Sequence, residues 1–163
     1  MTHAKTAGVD QTRALGAAIS TLSRAGDLIL LAGDMGAGKT AFTQGFARGL
    51  GVTERVVSPT FTLARQYDGA ELRLNHLDVY RLDHLQEAID LGLSELIDDD
   101  SGVTVIEWGD VVIPALPADF LEVRLAYGFE DDERLFSLHS VGTGWSARRH
   151  ALDEVLAPWM DGA

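Results

Sequence analysis

A three-layer α/β sandwich is what this sequence predicts, with a central, mostly parallel sheet extended by antiparallel hairpins. Three observations carry the prediction. Two short apolar runs, Asp27 to Ala32 and Val103 to Ile106, lack the alternation of a half-wet strand and read as strands buried on both faces. The first of them leads into a glycine-rich turn and then a helical pattern, a strand–loop–helix unit. Two further pairs of segments, Thr62 to Tyr67 with Leu72 to Leu77 and Phe120 to Tyr127 with Leu135 to Ser140, are separated by polar turns in the manner of hairpins.

In chain order, Gln11 to Ala25 sets Leu15, Ala18, Ile19 and Leu22 on one helical face, and Gly26 ends the helix. The first buried strand and its loop follow. Thr40 to Leu50 is helical, with Phe42, Phe46, Ala47 and Leu50 on its apolar side and Gly51 as its stop. Glu54 to Val57 reads as a short strand. Ser58-Pro59-Thr60-Phe61-Thr62 is a loop, because proline lacks a donor and restrains the residue before it. The first hairpin turns at Asp68-Gly69. Leu85 to Ile97 is helical with a break near Gly92, and residues 98–102 form a polar turn before the second buried strand. Pro114 and Pro117 mark a loop, the second hairpin has one wet face, and Trp145 to Trp159 reads as a closing helix. The 163 residues contain no internal repeat and no linker, so 1–163 is read as one domain.

The strand–loop–helix unit carries the chemistry. Gly33-Asp34-Met35-Gly36-Ala37-Gly38-Lys39-Thr40 fits G-x-x-x-x-G-K-S/T, the phosphate-binding loop (P-loop) of nucleoside triphosphatases. Glycines let consecutive backbone N–H groups point at one anion. Lys39 sets a cation against the β- and γ-phosphates, and the Thr40 hydroxyl is a ligand for Mg²⁺. By chance, four fixed positions would coincide in a chain this long at a rate on the order of one per cent, and the strand before and helix after lower that further. The phosphate contacts are therefore assigned to Asp34, Met35, Gly36, Ala37, Gly38, Lys39, Thr40 and Ala41, with ATP/ADP and Mg²⁺ as the cofactors. The fold becomes a P-loop NTPase-like sandwich.

A triphosphatase of this type needs an acid near the metal, usually at the end of a buried strand. Glu107 follows Val103 to Ile106 in that position, either as metal ligand or as the group that orients water; its bland alternative is a solvent-facing strand end. Trp108 either flanks the nucleotide or a partner, or packs beside the strand. His76, Asp78 and Tyr80 share one side of an extended segment, with Arg81 after them. Asp78 is a candidate for Mg²⁺ or for orienting the nucleophile; the plainer reading makes this side the exposed face of a hairpin. Thr60 is either a γ-phosphate sensor or a turn residue. Arg55, Arg65, Arg81, Arg124 and Arg134 are available to stabilise phosphoryl transfer, and no motif marks one of them.

Composition narrows the partners. There is no cysteine, which excludes disulfides, thiolate catalysis and cysteine zinc sites. No apolar run approaches a membrane span, and residues 1–6 lack an apolar leader core, so the expected location is the cytoplasm without a membrane partner. The formal net charge of −12 opposes free-standing nucleic-acid binding, which draws on neutralised phosphates.

The loop motif, Ser58-Pro59-Thr60-Phe61-Thr62-Leu63, His76-x-Asp78-x-Tyr80-Arg81 and Glu107-Trp108 occur in the order and spacing of the TsaE (YjeE) family, which this sequence resembles from about Asp10 to its last helix. The resemblance implies slow, partner-stimulated ATP hydrolysis in bacterial tRNA threonylcarbamoyladenosine synthesis. It implies Mg²⁺ held by Thr40 with Asp78 and Glu107 around it. It implies TsaD-like and TsaB-like partners that perform the transfer, with tRNA met only through them, which accords with the acidic charge. It also implies that Gln11, Thr12 and Arg134 lie near the nucleotide. The catalytic set is then Lys39, Glu107, Asp78 and Thr60. Two rivals remain: a small-molecule kinase, which would need an acceptor pocket and usually an arginine-rich lid, and a nucleotide-gated assembly module that requires no hydrolysis.

Overall fold

The computed structural model describes residues 1–59, 64–79, 85–90, 92–107, 113–114 and 116–160. Seven strands form one sheet in the order β1-β7-β6-β2-β5-β4-β3. Its centre is parallel: β6 (Phe120–Tyr127), β2 (Leu28–Gly33), β5 (Gly102–Glu107) and β4 (Arg73–Asp78). Antiparallel strands extend both sides, β3 (Ala64–Asp68) beside β4, then β7 (Arg134–Val141) and β1 (Thr2–Thr6) beyond β6. Both predicted hairpins and both buried strands are present.

The two faces of the sheet follow from strand alternation. On one face Ile29, Leu31, Val103, Val105, Leu121 and Val123 pack against α1 (Val9–Ser20), α2 (Lys39–Gly49) and the C-terminal helices through Leu15, Phe42, Phe46 and Leu152. On the other, Leu28, Leu30, Ile106 and Leu77 meet Leu93 and Ile97 of α4 (Leu93–Ile97). Helices therefore cover the sheet on both sides, which makes the three layers. The α1–α2 contact is close because glycines face it: a Cβ at Gly16 would collide with the Phe42 carbonyl, and one at Gly45 with that of Arg13. Among the described residues no helix is long and apolar enough to cross a membrane.

Several boundaries differ from the sequence reading, each for a local reason. β1 has too little apolar content to announce itself; Thr2, Ala4 and Thr6 point inward in alternation with exposed neighbours. Helix α1 stops at Ser20, where the Ser20 and Thr21 hydroxyls donate to the carbonyls of Ala17 and Ala18. Residues 54–57 are not a strand; the Val56 carbonyl accepts from Gln44 Nε2 at 3.0 Å. The helix over 85–97 is split into α3 (Leu85–Asp90) and α4, with Gly92 at φ 91° before the second. The closing helix is α5 (Thr143–Ala147), α6 (Arg149–Leu156) and a 3₁₀ turn containing Pro158. The break between α5 and α6 falls at Arg148, whose guanidinium is drawn away to the Leu22 carbonyl and, at 2.6 and 2.9 Å, to both carboxylate oxygens of Asp27, while it stacks 4.0 Å over Trp145. Pair and ring together fasten the C-terminal helices to the residue before β2.

Candidate functional site

Residues 33–40 leave the C-terminal end of β2 and enter α2, at the edge of the parallel sheet where crevices form. Three glycines of the loop, Gly33, Gly36 and Gly38, have positive φ, and two of them show what the backbone requires. Gly33 has φ 152°, and a Cβ there would lie 2.5 Å from the Leu125 carbonyl oxygen of β6. Gly38 has φ 110° and is the N-cap of α2, and no side chain caps that helix. The first-turn amides of α2, from Lys39 through Thr40 and Ala41, therefore face the loop's concavity, where an anion is favoured.

Lys39 is buried, and its ammonium donates to the carbonyls of Gly33 at 2.6 Å and Asp34 at 3.0 Å. Burial pushes its pKa below the usual lysine value, while the charges of Glu107, Asp78 and Asp34 pull the other way. Three carboxylates thus act on one desolvated cation. The sheet explains two of them: Asp78 ends β4, Glu107 ends β5, and the parallel register sets them opposite each other, with Glu107 also opposite Leu31 of the loop-bearing strand.

The side chain of Asp78 belongs to the helix-covered face, as do those of His76 and Glu107, and all three are buried. This corrects the reading of His76 and Asp78 as an exposed hairpin face. The hairpin's outer strand is β3; β4 lies between β3 and β5 and is covered from above. His76 Nε2–H donates to Glu107 Oε2 at 2.8 Å, and its Nδ1 is buried without a hydrogen-bond partner among the described residues. The Ser58 hydroxyl donates to Asp78 Oδ2 at 3.4 Å, which brings the proline loop to the acids. Thr60, the next residue after Pro59, and Trp108, after Glu107, lie outside the described residues.

The opposite flank is the β6–β7 hairpin. Tyr127 Oη–H donates to the Met35 carbonyl at 2.9 Å, and Arg134 Nε–H donates to that of Ala37 at 3.1 Å. The guanidinium carbon lies 4.5 Å from the Tyr127 ring centroid. A cavity of about 130 Å³ is lined by Thr12, Gly36, Gly38, Ala41 and Arg134 among others, so one hollow gathers five residues expected at the site. Thr12 is buried and shares a 2.9 Å hydroxyl contact with Thr6. Gln11 lines the adjoining cavity of about 400 Å³, and its Oε1 accepts from the Ala7 amide. Sequence reasoning missed Tyr127, which lies 92 positions from its loop partner and carries no motif. It also left His76 without a role, though the alternation with Asp78 was the available signal.

As a receptacle the site suits a phosphate chain and a hard divalent cation. Its donors are backbone amides, a lysine, a hydroxyl and two carboxylates. Among the described residues no group of three or more His, Asp or Glu is arranged to hold a metal alone. Two carboxylates and a hydroxyl accord with Mg²⁺, which keeps waters and takes phosphate oxygens as further ligands.

Known proteins agree with this geometry. The family model described as "Threonylcarbamoyl adenosine biosynthesis protein TsaE" matches residues 6–135. The tRNA threonylcarbamoyladenosine biosynthesis protein TsaE of Bacillus subtilis is 40% identical over 138 residues, 85% of each chain. Those of Nostoc and Streptomyces coelicolor are 42% and 41% identical, over 80% and 82% of this chain and 81% and 93% of theirs. The crystal structure of YdiB from Bacillus subtilis superposes with a TM-score of 0.77 at 36% identity, covering 96% of this chain and 93% of its own. With the family model matched over residues 6–135 and a relative 40% identical over 85% of the chain, this chain belongs to the TsaE family.

Proposed function

We propose that the protein binds ATP with Mg²⁺ and hydrolyses it slowly, in support of the machinery that makes threonylcarbamoyladenosine in tRNA. The observation that carries the reading is the convergence of Asp78, Glu107 and Lys39 beside a helix N-terminus that no side chain caps. Exchanging the Gly33 and Asp34 carbonyls for phosphate oxygens would offset the desolvation of Lys39 with a full negative charge. Loop amides and the first turn of α2 cradle the same charge.

Thr40, with Asp78 and Glu107, is the donor set for Mg²⁺, which when bound would neutralise charge on the β- and γ-phosphates. Glu107 is the group for orienting the attacking water, and Asp78, tied to the proline loop through Ser58, links the acids to the proposed γ-phosphate sensor Thr60. Gln11, Thr12 and Arg134 flank the nucleotide, and Trp108 lies beside Glu107 in sequence. The family's place in tRNA modification supports TsaD-like and TsaB-like proteins as partners, with tRNA held by them rather than by this acidic chain, in the cytoplasm.

The test is ATP binding and turnover by Lys39→Ala, with its fold checked by circular dichroism. Affinity should fall about 10- to 100-fold, the value of a charge-assisted contact. Normal turnover by the folded variant would overturn the nucleotide site. Pull-down with TsaD-like and TsaB-like proteins, with and without ATP, tests the pathway separately, and absence of any complex would remove that part.

A further inference from the structure

We propose that His76 is a positioning residue for Glu107: its imidazole holds one carboxylate oxygen so that the other faces the phosphate loop. The inference rests on the reading of Glu107 given above. The residue is fully buried on the face that carries Leu74, Val103 and Val105, with Asp78 and Glu107 at its strand ends. A side chain present only to fill that space would be apolar, because an imidazole there leaves Nδ1 without a partner among the described residues. What the imidazole does provide is a 2.8 Å contact with Glu107 Oε2. A carboxylate accepts only, so Nε2 carries a proton at this contact.

The backbone makes the contact rigid. His76 lies two residues before Asp78 on β4, and the parallel register runs unbroken from Arg73 opposite Gly102 to Asp78 opposite Glu107. Both ends of the hydrogen bond are therefore set by adjacent interior strands and not by a loop. Glu107 can turn about its long side chain, and anchoring Oε2 removes that freedom while leaving Oε1 for water or metal. One imidazole thus determines where the strand-end acid points.

Two variants separate this role from packing. His76→Leu keeps the volume and removes the donor; His76→Gln restores an amide N–H at similar reach. The leucine variant should lower kcat for ATP about 10- to 100-fold, the usual range for an outer-shell partner. It should remain folded with ATP affinity close to wild type, and glutamine should recover most of kcat. Unchanged kcat in His76→Leu, or equal loss in both folded variants, would overturn the proposal. Nitrogen NMR of the nucleotide-free protein gives an independent readout. The His76 signal should show a protonated Nε2, and the slowly exchanging Nε2 proton should be lost in Glu107→Ala. A protonated Nδ1 with bare Nε2 would also overturn it. The expected NMR pattern in a wild-type protein that turns over no ATP would instead refute the hydrolysis reading and leave the anchoring intact.

Discussion

On one flank of the phosphate loop, His76, Asp78 and Glu107 are all at most 6% exposed, and His76 and Glu107 meet across a 2.8 Å contact between ionisable groups. On the other flank Tyr127 is 49% exposed and holds the Met35 carbonyl through one neutral hydrogen bond. The first flank is built from the ends of two interior parallel strands, the second from an antiparallel hairpin near the sheet's edge. Charges in the first act at low dielectric, where loss of one partner leaves another uncompensated. The second acts on backbone shape, and water can replace what is lost there. Burial thus divides the labour: the acid side sets the chemistry, and the hairpin side sets the form of the loop.

This contrast can be broken by mutation. Glu107→Gln removes the strand-end charge without changing its size. It should cut kcat about 10²- to 10⁴-fold while nucleotide affinity moves little, as read from steady-state kinetics and equilibrium titration. Affinity loss without rate loss would reassign Glu107 to binding. Gly33→Ala tests the loop's hinge, where φ 152° and the Leu125 carbonyl leave no room for a side chain. It should destabilise the fold by about 1–3 kcal/mol in urea titration; a stability within error of wild type would mean the hinge carries no strain. Tyr127→Phe should cost the least, about 0.5–1.5 kcal/mol in nucleotide affinity with kcat preserved. A collapse of kcat in this variant, comparable to that of Glu107→Gln, would abolish the distinction between the flanks.

What could be read from the sequence was whatever is encoded locally. The phosphate loop needs a few residue types at fixed short spacing, and the apolar runs around Ile29 and Val105 need only their own composition. Glu107 was legible because an acid follows so apolar a strand. The surroundings of His76 and Asp78 were not, since H-L-D alternates equally well on a wet or a dry face. Which face it is depends on β3, β5 and the helices above, all supplied by distant sequence. Residues 54–57 look like a strand, yet the Val56 carbonyl is satisfied by Gln44. The break at Arg148 is invisible to helical periodicity because its cause is Asp27, 121 positions away.

That same separation has a consequence in time. β2, which presents the phosphate loop, is bordered by β5 and β6, and the residue before it is clamped by Arg148. On a ribosome the glycine-rich segment emerges long before any of these neighbours exists. Closure of so long an intervening chain must precede the contacts that reward it, which slows the step. The strands that border the loop's own strand are thus the later ones in the chain, and a nascent chain that stops before β5 carries the motif without the acid of Glu107 beside it.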